Sequence, residues 1–176
     1  KTSKGTKYII GQHGGNFKTG KLNQTVLHQL KSSNVFVSWG WENYNCDSFN
    51  IKRMPSLKLS RKISAPDSNG YILITIPSYP RYFYCHYSVP VAGQFLKVIE
   101  CIFCFIKKLD STNIHLVKIK LDSDEFGWNL TERFEQNGFS KMLIKNQNFY
   151  SSLSKSRISI SPYNSTIYYE TLSSNF

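Results

Sequence analysis

Long apolar runs are missing from this sequence. The longest helix-like apolar stretch, Phe95 to Ile106, is broken by Lys97 and Glu100, so no segment reaches the length a helix needs to span a bilayer. Cysteine is scarce, and four in a chain of 176 residues do not make a disulfide scaffold. Acidic residues are few: eleven stand against 22 Lys and Arg, for a net charge of +11. Several chemical signatures are also lacking. Without a G-x-S-x-G elbow, Ser/His/Asp hydrolysis has little support. There is no P-loop and no G-x-G-x-x-G. No RNP pattern and no paired Cys/His finger points to nucleic acid. The chain carries no signal peptide, begins at Lys1 and ends at Asn175-Phe176. It is expected to be a fragment of a longer protein, so a missing targeting segment carries no information.

What is present suffices for a packed core. Hydrophobic residues make up 40% of the chain before its ten Gly are added, which argues against wholesale disorder. The charge is uneven. Residues 1–62 carry eleven Lys or Arg against Glu42 and Asp47, a net of +9, while residues 63–176 carry eleven against nine. That excess is either a solubilising surface or an attraction to an anion such as a nucleotide phosphate, an anionic lipid surface or nucleic acid. The eleven Tyr and twelve Phe sit largely in apolar runs, where core packing explains them better than base stacking.

The hydrophobic pattern predicts a strand over 7–10, a tight loop, a helix over 22–31 and a strand over 35–39. That is the βαβ unit of parallel sheets. Residues 42–69 are polar and read as a linker with one short strand at most. From Tyr71 the pattern restarts. Strands are predicted over 71–76, 114–121, 141–144 and 158–161, and helices over 90–109, 130–137, 149–154 and 165–173, with Gly138 as a helix stop. This βαβαβαβα alternation is the signature of an open parallel α/β sheet, with helices on both faces. Such sheets bind ligands beyond the carboxyl ends of their strands. The loops 11–16, 39–43, 77–87, 122–128 and 161–166 are therefore where chemistry is expected.

In the first of these, Gln12-His13-Gly14-Gly15-Asn16 places a polar His directly after an apolar strand. His13 can be a general base near neutral pH, a hydrogen-bond donor to phosphate or sugar, or a surface residue in a turn. The two Gly allow a ligand to approach the backbone closely. Trp39-Gly40-Trp41 follows the next strand and suits either stacking on a sugar or base, or packing between domains. Ser161-Pro162-Tyr163-Asn164-Ser165-Thr166 leads into a helix with Glu170 one turn in. Asn164, Ser165 and Thr166 can bind a phosphate at the helix N-terminus, or simply cap it. Glu170 can accept hydrogen bonds from ribose hydroxyls. Arg81, after the strand at 71–76, is a bidentate phosphate ligand or an ordinary exposed Arg.

Asp122, Asp124 and Glu125 lack a calcium-loop pattern and read as a solvated loop rather than a metal site. Cys101 and Cys104, with no second pair for zinc, read as core residues of a buried helix face, which implies a reducing compartment. The sequons at Asn23, Asn129 and Asn164 are taken as chance matches.

Three segments together carry a family likeness: Gly11-Gln12-His13-Gly14-Gly15-Asn16, Val37-Ser38-Trp39-Gly40-Trp41, and Ser161 through Leu172. Their order and spacing resemble a family of bacterial transferases of surface-carbohydrate biosynthesis, the lipopolysaccharide and capsule class. Pro80-Arg81-Tyr82 and Phe126-Gly127-Trp128 match motifs of that family too. More distantly, the His-Gly loop and the Ser/Thr helix start are similar to CDP-glycerol glycerophosphotransferases and other GT-B-type glycosyltransferases. The resemblance implies two facing Rossmann-like domains with a cleft between them. Residues 1–41 would end an N-terminal, acceptor-side domain, 42–63 would link, and 64–176 would form most of a truncated donor-binding domain.

The resemblance further implies a nucleotide-activated sugar or polyol donor and a glycan or lipid-linked acceptor. His13 would be the catalytic base or a phosphate ligand. Arg81, Asn164, Ser165 and Thr166 would hold the donor phosphate and Glu170 its ribose. Gln12, Gly14, Gly15, Trp39 and Trp41 would line the acceptor side of the cleft. One departure stands out. Where the family places Arg in its second C-domain strand, this chain has Lys118 or Lys120, which keep the charge but lose the bidentate fork. Positive charge at the leaving phosphate can replace a metal, so no metal and no cofactor are expected. The expected location is cytoplasmic, with peripheral contact at an anionic inner membrane face, and nucleic acid is not an expected partner. Two other readings compete: a basic module for nucleic acid or anionic membrane, and an inactive truncated remnant.

Overall fold

The computed structural model describes residues 4–14, 17–18, 23–44, 48–60, 65–82, 89–162 and 165–176. The chain divides into two compact units, Lys1–Arg61 and Lys62–Phe176. Each holds a three-stranded parallel sheet flanked by helix, so the protein is α/β and Rossmann-like in its pattern.

In the first unit, β1 (Ile9–Gly11), α1 (Gln24–Ser32), β2 (Val35–Ser38) and β3 (Ile51–Arg53) give the strand order β1-β2-β3, every pair parallel. Asn23 starts α1 by accepting a hydrogen bond from the Val26 amide at 3.1 Å, which satisfies one of the orphan donors of a helix start. Val26 and Leu30, one turn apart, are then buried with Phe17, Phe36 and Tyr44 in a small core. The expected βαβ unit is present, and the polar segment after it supplies β3 to the same sheet.

In the second unit, β4 (Tyr71–Ile76) lies between β5 (Val117–Leu121) and β6 (Ser156–Ile160), both parallel to it. Alternation along β4 separates two faces. Ile72, Ile74 and Ile76 join Val117 and Ile119 in the main core, against α2 (Gly93–Lys107) and α4 (Leu130–Gln136). On the opposite face, Leu73 is fully buried and the Tyr71 hydroxyl donates to the Ser152 carbonyl of α5 (Phe149–Leu153) at 2.7 Å. Helices therefore cover both faces. α2 buries Phe95, Ile99, Ile102 and Ile106. Each such side chain contributes about 1.5–3 kcal/mol relative to exposure.

Three local expectations are corrected. Residues 141–144 are not a strand: a 3-10 turn at Ser140–Met142 precedes a single parallel bridge from Leu143 to Ile119. Residues 114–116 do not belong to β5. Instead Asp110 caps a short helix α3 (Ser111–Ile114), accepting from the Asn113 amide at 2.8 Å. Cys101 and Cys104 are exposed free thiols, not core residues. The buried stripe of α2 recurs at 95, 99, 102 and 106, and both Cys fall outside it. Among the described residues no helix is long and apolar enough to cross a membrane.

Candidate active site

The residues singled out in the sequence gather at the carboxyl ends of the strands. In the first unit, Gln12 and His13 follow β1, and Trp39 and Trp41 follow β2. Gln12 ties these two loops together. Its Oε1 accepts from the Trp39 amide and from Trp41 Nε1, both at 2.9 Å, while its Nε2 donates to the Gly14 carbonyl at 2.8 Å. Its backbone amide also donates to the Val37 carbonyl at 2.8 Å. The side chain is thus a brace, with both ends of the amide hydrogen-bonded. His13 is exposed, and its ring meets Phe17 edge-on at 5.0 Å. Trp41 packs on Phe36 at 5.4 Å and stays half-buried. Trp39 is half-buried too. The buried Ser38 hydroxyl closes the turn by donating to the Trp41 carbonyl. Gly15 lies outside the described residues.

In the second unit, two motifs distant in sequence meet. The Arg81 guanidinium lies over Trp128, 5.0 Å from the ring centroid, and donates to the Gly127 carbonyl. Trp128 is buried and its Nε1 donates back to the Tyr79 carbonyl at 2.5 Å. Arg133 Nε donates to the Trp128 carbonyl at 2.8 Å. The loop after β4 and the loop after β5 are therefore clamped together at one sheet edge. Backbone strain accompanies the clamp: Phe126 and Asn129 hold φ of 44° and 50°, the left-handed region. Tyr79 is raised well above the ordinary tyrosine value, first by burial and then by the Asp122 carboxylate. Among the described residues, the buried Ser78 and Thr75 hydroxyls near this edge have no hydrogen-bond partner.

α6 (Thr166–Ser173) follows β6. Ser165 stands at its N-cap, yet its side chain makes no capping bond, and no acidic residue occupies the first turn. Glu170 is buried, and its backbone carbonyl accepts from the Ser173 and Ser174 hydroxyls at 2.9 and 2.7 Å. Asn164 lies outside the described residues.

One part of this edge escapes sequence reasoning. A cavity of about 590 Å³ opens at the carboxyl end of β5, lined by the apolar Leu121, Leu143 and Ile144 and by Lys120, Asn146 and Gln147. Lys120 Nζ donates to the Gln147 carbonyl at 2.7 Å, while Lys118 points to the Lys141 carbonyl at 3.5 Å. Of Lys118 and Lys120, only Lys120 lines the cavity. The polar run Lys145-Asn146-Gln147-Asn148, directly after an apolar segment, is the signal in the sequence that marks it. Among the described residues no group of three or more His, Cys, Asp or Glu could hold a metal ion.

The model of one transferase family matches residues 1–176, the whole chain. The chain belongs to the LIC12162 family of transferases. No curated protein and no solved structure matches it. Any transferase must hold a donor, hold an acceptor and stabilise the group that leaves.

Proposed function

We propose that this transferase is a nucleotide-dependent glycosyltransferase, or a related polyol-phosphate transferase, of cell-surface polysaccharide or lipopolysaccharide synthesis. It would work on the cytoplasmic side with a glycan or lipid-linked acceptor. The observation that carries the reading is positional. Arg81, Lys120 and the Ser165–Thr166 helix start all lie at the carboxyl edge of one parallel sheet, which is where open α/β sheets take their ligands.

The second unit supplies the donor side. Arg81 and the amides of α6 oppose the negative charge that develops on the departing phosphate, and Ser165 and Thr166 add hydroxyl donors. Glu170 holds the ribose from inside the helix. His13 in the first unit takes the proton of the acceptor hydroxyl as its oxygen bonds to the transferred group. Gln12 fixes the loop that carries His13, and Trp39 offers a face for a sugar ring.

Calorimetry of the full chain against CMP, CDP, UDP, GDP, ADP and a short DNA duplex, at two salt concentrations, tests this. Saturable, salt-tolerant binding of one nucleotide class, weakened in Glu170→Gln, is the expected result. Binding to the duplex alone, lost as salt rises, would replace it with a basic nucleic-acid module.

A further inference from the structure

We propose that the protrusion at 52–58 seats the first unit on an anionic lipid surface. β3 ends at Arg53, and the chain then leaves the carboxyl edge of the sheet. Leu57 is 86% exposed and Met54 52% exposed, a large apolar surface for so short a segment. Lys52, Arg53 and Lys58 flank them and are exposed as well.

The tip is built to stay outward. Ser56 is buried beneath it, and its hydroxyl accepts from the Leu59 amide at 3.2 Å. Its carbonyl accepts from the Ser60 amide at 2.9 Å and from the Ser60 hydroxyl at 2.6 Å. Pro55 stiffens the approach. Leu57 is thereby presented at a closed turn rather than folded against the core.

Charge and chemistry select the occupant. Residues 1–62 carry a net +9, which attracts an anionic surface and repels a second copy of this chain. Nucleic acid would reward the lysines, but it would find aliphatic tips where stacking rings serve it better. A bilayer rewards both: apolar tips enter the acyl boundary while the basic flank meets the headgroups. Arg53 also pairs with Glu42 at 2.5 Å, and both remain exposed, so that pair is weak and yields readily to a headgroup phosphate.

The position has a use. The Met54 amide donates to the Ser38 carbonyl at 3.0 Å, so the protrusion starts beside the Trp39 turn. A chain seated this way would bring the edge carrying His13 to the membrane, where a lipid-linked acceptor resides. That last step rests on the proposed function; the membrane contact does not.

Flotation of the full chain with phosphatidylcholine vesicles, with and without phosphatidylglycerol, is the test. Binding to the anionic vesicles alone is expected. Leu57→Asp should weaken it about tenfold or more. Lys52→Glu and Lys58→Glu should each weaken it about fivefold. Leu57→Trp should preserve it, and circular dichroism should show all four variants folded. Equal binding to neutral vesicles, no binding, or Leu57→Asp floating like wild type would overturn the proposal. So would a DNA duplex that displaces the vesicles and binds Leu57→Asp unchanged. No free mononucleotide enters this assay, so its failure leaves the donor reading standing, and failure of the nucleotide panel leaves the membrane contact standing.

Discussion

Arg81 and Trp128 form a cation–π pair, with the guanidinium 5.0 Å from the ring centroid and a hydrogen bond to the neighbouring Gly127 carbonyl. Arg81 is exposed while Trp128 is buried. The ring and the carbonyl hold the cation in place at the sheet edge without neutralising it. That is the arrangement expected of a group kept ready for an anion.

Arg81→Lys should therefore lower nucleotide affinity about tenfold, since a lysine loses both the fork and the ring contact. The stability change should stay below about 1 kcal/mol, the usual worth of an exposed cation–π pair. Calorimetry beside urea unfolding separates the two. An equal loss in both would make Arg81 structural.

Gln12 makes an opposite prediction. Gln12→Ala removes three side-chain hydrogen bonds, two of them between the loops after β1 and β2, and should cost about 1–3 kcal/mol in denaturant unfolding. Gln12→Glu keeps an acceptor for Trp39 and Trp41 but turns a second oxygen toward the Gly14 carbonyl. It should be destabilising as well, despite equal size.

The stability of the second unit should fall in alkali. Burial and Asp122 hold Tyr79 above its ordinary value of 10.0. The unfolded chain therefore releases this proton first, so stability is unaffected below about pH 10 and declines as pH rises beyond it. Tyr79→Phe should flatten that decline. Urea midpoints measured from about pH 8 to about pH 11 bracket the ordinary tyrosine value and give the comparison. An unchanged slope would assign the decline to other groups.

Cys101 and Cys104 should react with a thiol reagent in the native chain, because both are exposed. The double variant Cys101→Ser, Cys104→Ser should lose two rapidly labelled thiols against wild type. Slow labelling that appears only in urea would return them to the core.

Much of the fold was legible because strands and helices here differ clearly in period. Tyr71 to Ile76 is predicted and found with the same ends, a largely apolar run buried from Ile72 to Ile76. The parallel architecture follows from the alternation of elements, and with it the edge where Arg81 and the 126–128 loop meet. Other features were not legible. Lys141 to Ile144 has strand-like composition, but only Leu143 reaches a neighbouring strand. α2 is apolar on more than one stripe, since Val98, Cys101 and Phe105 line an apolar groove of about 400 Å³ beside the buried set. Periodicity alone could not choose between them. The contact of Arg81 with Trp128, and the bracing by Gln12, depend on tertiary approach of residues far apart in sequence.

The order β5-β4-β6 has a consequence for synthesis. The central strand is made first, and its two neighbours follow after α2 and after α5. Until Val117–Leu121 has emerged, YILITI has no partner, and until Ser156–Ile160 arrives one of its edges stays open. Such a segment, largely apolar and uncharged with two unpaired edges, is a template for pairing with other nascent chains. Sheets closed by distant partners also fold slowly. The yield of folded protein should therefore depend on how quickly the ribosome delivers residues 77–160, and chaperones that shield β4 in that interval should raise it.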